Sequence, residues 1–496
     1  MVSSATDSRG GLYLGFDVGT QSTKALVLDA DSGEVVARAQ EPYELISSLP
    51  PGHMEQHPDT WIAALQRTAA TVLARVDRTR IRGVSVSGQQ HGAVVLDEQQ
   101  RVVRPAKLWC DTSTASEARA LSQAIGRAVP TGFTASKLRW LKIHEPQNWA
   151  RVRHVLLPHD YVNLRLCGTA TMECGDASGT GFFDPIARQF DPRAMAAIDA
   201  RLPSMLPPLL PPGAPAGSLS SAGAALLSLP VGLPVAHGGG DNMMAAIGSG
   251  AAANGVAVVS LGTSGTVFAR SSNPTVDREG LIAPFCSSDG AYLPLLCVMN
   301  LTGVTETVRR VTGLSHDALT KLASAVPMGS DGLLWLPFLN GERVPDLPTA
   351  TGTLLSMRGD NLSPGHLYRA ALEGTSCNLA AGARRLQQLG VDLREVRLCG
   401  GASHNPLWQQ ILADLFEVPV VLVAEPEAAA LGAAISALWT VRRLAGDDVS
   451  CAEVAAKFVH TVGEPVRPSS DLASSRELRA RFAFEVERLH GVRILG

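Results

Sequence analysis

The stretch "GFDVGTQSTKALVLD" (residues 15–29), with its echo "SLGTSGTVFAR" (260–270), decides how this chain is read. Both pass from an apolar strand through a Gly-Thr turn rich in hydroxyls into a second strand, and each opens one half of the sequence. Such a turn keeps its backbone N–H groups clear of bulky side chains, which suits it to phosphate oxygens. It equally suits any tight hairpin. Asp17 tips the balance toward phosphate. It ends an otherwise apolar strand, and an acid beside such a turn is either a turn-former or a charge kept for a cation; magnesium favours one or two carboxylates together with phosphate. Lys24 either neutralises phosphate or faces solvent.

Around these hairpins, strand patterns alternate with helical ones, which makes the class α/β. "HPDTWIAALQRTAATVLARV" (57–76) is expected as a helix, with Trp61, Leu65, Ala69, Val72 and Val76 on one face and Pro58 near its start. "IRGVSVSG" and "AVVLD" follow as strands. The Pro/Gly/Ala-rich stretch 201–234 breaks the periodicity and is expected as a long irregular connection. A domain boundary is placed near 248–255.

At 496 residues the chain exceeds one ordinary core, so two domains are expected. Lys and Arg total 43 against 46 Asp and Glu, a formal charge of −3. That balance gives no footprint for nucleic acid or an anionic membrane, and a small-molecule partner is expected. The eight cysteines are scattered, with no CxxC pair and no histidines at metal-ligand spacing. They read as those of a reduced, cytoplasmic protein without structural zinc. "MVSSATDSRGG" lacks the features of a signal peptide, and no apolar run approaches the roughly 18 residues of a membrane helix. "AAALGAAISALWTV" (428–441) reads as a buried helix.

Three further constellations carry chemistry. In "GGGDNMM" (238–244), three glycines are hard to justify in a plain loop, and close approach of a ligand or unusual dihedrals are expected. Asp241 there suits a general base on a hydroxyl, and also a helix cap. "SGQQHGAVV" (87–95) sets Gln89, Gln90 and His91 between strands, where amide and imidazole groups suit a polyhydroxylated ligand; a lone His is as readily structural. In "VRLCGGASHNPLWQQ" (396–410), Gly400 and Gly401 let a flat ring lie against backbone or merely make a tight connection. Asn405 and Pro406 then start a helix whose buried face is Leu407, Trp408, Ile411, Leu412, Leu415 and Phe416. There is no GxxxxGK[ST]. "GSGAAA" (248–253) follows a helical stretch rather than a strand, and "GVSVS" (83–87) misses a serine-hydrolase elbow.

The order of "SGQQHGAVVLD", "RPAKLWCDTST", "GFTASKLRWLKIHEP", "LLPHDYVNLRLCG", "GDASGTGFFD", "GGGDNMMAAIG", "SLGTSGTVFA" and "LPFLNGERVP" resembles the FGGY carbohydrate kinase family, within the actin and hexokinase-like ATPases. The resemblance runs from Leu12 to about Arg443. It implies two ribonuclease H-like α/β domains flanking a central cleft: an N-terminal sugar domain over 12–248 and a C-terminal ATP domain over 255–443. A helical extension is expected over 444–496. It implies phosphoryl transfer from ATP, with Mg2+, to a sugar, and the likeness is greatest to the subgroup that acts on D-xylulose. Ribulose, ribitol or glycerol as acceptor stay open, as does an actin-like ATPase that phosphorylates no sugar. Residue by residue, Asp241 matches the catalytic base, and Asp17, with Asp241, the metal-associated acids. Gln90, His91, Asp241 and Asn242 match the sugar contacts. Gly19, Thr20, Gln21, Ser22 and Lys24 match the first phosphate hairpin, Gly262, Thr263 and Ser264 the second, and Gly400, Gly401 and Asn405 the adenosine motif. Gln90, Cys110, Val344 and Asp346 stand where the subgroup more often has Met, Asn, Thr and His. The family often dimerises.

Overall fold

The computed structural model describes residues 10–496. The chain forms two compact units. The first takes the chain up to Ala252 together with Phe285–Leu293 and Glu427–Val459; the second takes Ala253–Pro284, Pro294–Pro426 and His460–Gly496.

In the first unit, β1 (Leu12–Val18), β2 (Ser22–Asp29) and β3 (Val35–Pro42) form an antiparallel meander. β4 (Ile81–Gly88) then lies parallel to β1, and β5 (Pro234–Ala236) parallel to β4. β1 is buried along nearly its whole length, which is why it reads as a continuous apolar run rather than an alternating one. One covering helix is Pro58–Leu73, with Pro at its first turn and Trp61, Leu65, Ala69 and Val72 buried as expected. It ends before Val76, which is half-buried beyond it. The other is Ala428–Leu444, the expected buried helix, whose small residues let it seat against β1 and β4. A side chain at Gly15 would strike its backbone at Ala430.

The stretch 201–234 is not the irregular connection its composition suggests. Pro215–Ser218 is an outer strand beside β5, and Ser221–Leu227 is a helix capped by the Ser220 side chain. Pro215 opens that strand and Pro230 follows the helix, so prolines bound these elements rather than interrupt them.

The second unit repeats the plan. β6 (Gly255–Leu261), β7 (Gly265–Ala269) and β8 (Tyr292–Val298) form a meander. β9 (Leu393–Cys399) lies parallel to β6, and β10 (Val420–Val423) parallel to β9. Among the described residues each of these two sheets has seven strands, and in both the shared order is third, second, first, fourth, fifth. The helix Pro406–Phe416 buries Trp408, Ile411, Leu412, Leu415 and Phe416, while Leu407 is only partly covered.

Neither unit is a contiguous stretch of chain. Residues 427–459 lie in the first unit, because the Ala-rich helix packs on its sheet. The segment 444–496, expected as helical, contributes a strand, Thr461–Val466, and the helix Ala473–His490, whose Leu478, Phe482 and Val486 enter the second core. Among the described residues no helix is long and apolar enough to cross a membrane.

Candidate active site

Strand register assembles the first part of the site. Asp17 on β1 stands opposite Lys24 on β2 and beside Ser87 on β4, and Ser87 is in turn paired with Gly239. One row across the sheet thus runs from Lys24 through Asp17 to the turn that carries Asp241. Ser87 Oγ donates to Asp17 Oδ1 at 2.9 Å, and Lys24 Nζ pairs with Glu427 Oε2 at 2.5 Å. Burial raises the Asp17 carboxyl above its ordinary range, against the Lys24 charge. In this structure Lys24, partly exposed, is half of an ion pair.

The turn between β1 and β2 closes with Gly19 N donating to Ser22 O at 3.0 Å. Its acceptors are held from below. Tyr43 OH and Gln89 Nε2 donate to Gly19 O, and Gln56 Nε2 donates to Thr20 O. Thr20 Oγ1 donates to Gln89 Oε1 and accepts from Trp109 Nε1, both at 3.0 Å. Among the described residues no hydrogen bond engages the N–H groups of Thr20 or Gln21. Ser22 Oγ accepts from Gln40. Sequence reasoning did not assign Tyr43, Gln56, Gln89 and Trp109 to this turn. Gln89 and Trp109 sit in motifs it did quote, but their partners, the Thr20 hydroxyl and the Gly19 carbonyl, are brought to them only by the fold.

Asp241 is the first residue of the helix Asp241–Gly248, after an N-cap at Gly240. Its Oδ1 accepts from Asn242 N at 2.8 Å and from Asn242 Nδ2 at 3.0 Å. Asn242 Nδ2 also donates to Gln90 Oε1 at 2.8 Å, and Gln90 Nε2 contacts Met243 Sδ at 3.4 Å. The carboxyl is half-buried. Burial, reinforced by the charges of Asp17 and Asp176, pushes it up to about 8. The three glycines before it answer to the protein's own packing. Gly238 has φ +69, and side chains at Gly238, Gly239 and Gly240 would collide with Val86, Ser288 and Gln90.

His91 takes φ +66, with its carbonyl accepting from Thr134 Oγ1 and Lys137 Nζ. Its ring lies against Phe133 and Phe285, with centroids at 4.7 and 6.0 Å. Asn242 is thus joined directly to Asp241 and Gln90 through Asn242, while His91 is held by a separate aromatic wall.

In the second unit, the carbonyls of Gly262 and Thr263 accept from Thr302 N and Leu301 N. Among the described residues no hydrogen bond engages the N–H groups of Gly262, Thr263 or Ser264. Ser260 occupies the place that Asp17 has in the first hairpin, so this turn carries no acid. Gly400 ends β9 next to Leu261, with φ +92, and a side chain there would meet Leu261 O at 2.7 Å. Hairpin and Gly400–Gly401 turn therefore share one end of the sheet. Asn405 caps the helix Pro406–Phe416 through Trp408 N and donates to Thr320 Oγ1 at 2.9 Å.

Among the described residues, His53, Glu55 and Asp111 gather like metal ligands. The Lys107 ammonium already lies among them, at 3.2, 3.1 and 3.0 Å. That cluster is a buried ion-pair network rather than a metal centre.

Comparison with known proteins bears on the family and the fold. The model of the FGGY family of carbohydrate kinases, N-terminal domain, matches residues 12–248, and that of its C-terminal domain matches 257–441. The chain is 38% identical over 450 residues to a xylulose kinase of Haemophilus influenzae, covering 86% of this chain and 90% of that protein. It is 38% identical over 470 residues to a xylulose kinase of Streptomyces coelicolor, covering 92% and 93%. A crystal structure of a xyloylose kinase from Brucella ovis superposes with a TM-score of 0.88 at 30% identity, covering 97% of this chain and 99% of that one.

Proposed function

The chain belongs to the FGGY family of carbohydrate kinases, and from that premise we propose that it transfers the γ-phosphoryl group of ATP to D-xylulose, giving D-xylulose 5-phosphate, with Asp241 as general base. An ATP-dependent sugar kinase follows from the family itself. Its small-molecule partners are a sugar and ATP. The finer assignment is supported by the relatives that carry the name xylulose kinase.

One observation carries the mechanism: a single hydrogen-bonded chain, Gln90–Asn242–Asp241, that joins an amide suited to sugar hydroxyls to a carboxylate of raised proton affinity. The sugar's primary hydroxyl attacks the γ-phosphorus; the new O–P bond forms as the bond to the ADP oxygen breaks, and the hydroxyl proton passes to Asp241. Such a transfer asks the protein mainly for alignment and charge stabilisation, with one base. Both Gly-Thr turns offer unengaged N–H groups for phosphate oxygens, and we assign both to the nucleotide's phosphates. The Gly400–Gly401 turn and Asn405 are assigned to adenosine.

Magnesium fits the donor set. Asp17 and Asp241 are half-buried carboxylates, and the charge of one raises the proton affinity of the other, a repulsion that a divalent ion would relieve. When bound, the ion neutralises charge on the phosphates.

ADP release measured with D-xylulose, D-ribulose, L-ribulose, glycerol and no sugar tests the reading. D-xylulose is expected to give the highest kcat/KM. A higher value for another acceptor would reassign the substrate, and equal release without sugar would make the protein an ATPase.

A further inference from the structure

Four titratable side chains that the mechanism leaves unused lie together in the first unit: Glu173, Asp176, His159 and Asp160, each 3% exposed or less. His159 Nδ1 meets Asp176 Oδ2 at 2.6 Å, and His159 Nε2 lies 3.1 Å from Asp160 Oδ1. Asp160 Oδ2 accepts from Leu157 N, fixing the start of the helix Pro158–Cys167. Glu173 accepts from Gly175 N at 2.6 Å and Asp176 N at 2.5 Å. Against burial, which lowers it, the neighbouring carboxylates raise the proton affinity of the His159 imidazole.

Both loops of the candidate site pass close to this quartet, one against the backbone and Cβ of His159 and the other near the Glu173 carboxyl. A side chain on Gly88, which precedes Gln89, Gln90 and His91, would come within 2.9 Å of His159 N. One on Gly239, which precedes Asp241, would come within 3.2 Å of Glu173 Oε1. Gly88 is itself paired with Gly240. Beside Glu173 lies a cavity of about 10 Å³, lined also by His237 and Ser288, with the Ser288 hydroxyl buried and, among the described residues, without a hydrogen-bond partner. That is room for about one water, which would tie Ser288 to the network.

Well-packed apolar residues generally stabilise a core as well as buried ion pairs do, so burial of four ionisable groups is a poor device for stability alone. Directional contacts, in contrast, fix position. Resting on the reading of Asp241 as base, we propose that the Glu173–Asp176–His159–Asp160 quartet is the positioning element of the reaction, fixing the Gln90–His91 loop through Gly88 and the Asp241 turn through Gly239.

The test compares Asp176→Asn, His159→Gln and the double variant, each scored for folded fraction, Tm, kcat and the KM of ATP and D-xylulose. For each single variant, kcat per folded molecule is expected to fall at least tenfold and the sugar KM to rise. The KM of ATP should stay within twofold. The double variant leaves Asp160 without its imidazole partner, so its kcat per folded molecule should also stay at least tenfold below that of the unmodified enzyme. Folded single variants with kcat and sugar KM within twofold of the unmodified enzyme would overturn the proposal, as would losses that merely track the folded fraction. If the singles do not fold, Glu173→Gln, judged by the same split, decides. Asp241→Ala in the same assay separates the two claims: activity retained there removes the base, whereas normal quartet variants beside an inactive Asp241→Ala remove the positioning role alone.

Discussion

On the proposed reading, Asp241 carries both the chemistry and its cost. Burial lifts its carboxyl from 3.8 to about 8, so between those values the folded chain keeps a proton that the unfolded chain has released. Its contribution to stability is therefore full below pH 3.8 and is lost as pH rises toward 8. Asp241→Asn removes that loss, and its Tm relative to the unmodified protein should be higher at pH 8 than at pH 4; an equal difference at both would contradict the assigned shift. The same displacement sets the working range. A base must be ionised to accept a proton, so kcat/KM for the sugar should climb with pH toward a plateau near or above 8. A profile flat from pH 5 to 9 would mean that another group titrates. Asp241 was legible in the sequence because three glycines before an Asp are locally unusual. The reason for those glycines was not legible, since Val86, Ser288 and Gln90 come from distant parts of the chain.

The two hairpins were legible as elements because Gly, Thr and alternating apolar residues fix strand and turn locally. What holds the first one was not: Tyr43, Gln56 and Trp109 reach its carbonyls and hydroxyl only once the unit has folded. Helix packing adds a constraint that also hides in the sequence. Gly432 on Ala428–Leu444 and Gly248 on Asp241–Gly248 face each other's backbone so closely that a methyl group on either would collide with it. Gly432→Ala should therefore cost about 1–3 kcal/mol by overpacking and displace the helix that presents Asp241. A lower Tm together with a lower kcat is expected; an unchanged Tm would contradict the close crossing. In the second unit, Gly400→Ala forces a left-handed backbone onto a residue that rarely adopts it, at about 1–3 kcal/mol. We expect the KM of ATP to rise several-fold with little change in the KM of the sugar.

Across the whole molecule, the duplicated order of strands was foreshadowed by the echo between residues 15–29 and 260–270, and the family resemblance supplied the rest of the fold class. The departure of residues 427–459 from the second unit was not legible, because "AAALGAAISALWTV" announces a buried helix without saying on which sheet it lies. Lys24 shows the same limit at close range: its partner, Glu427, lies at the far end of the chain. Water is a smaller and more abundant nucleophile than a sugar, so an enzyme of this kind must withhold its active geometry until sugar binds. ATP hydrolysis without sugar should thus be a small fraction of the stimulated rate. The most direct test of the account is D-xylulose-dependent ADP formation by purified, folded Asp241→Ala. A fall in kcat of about 10²-fold or more, with the KM of ATP little changed, is predicted; near-normal turnover would contradict it.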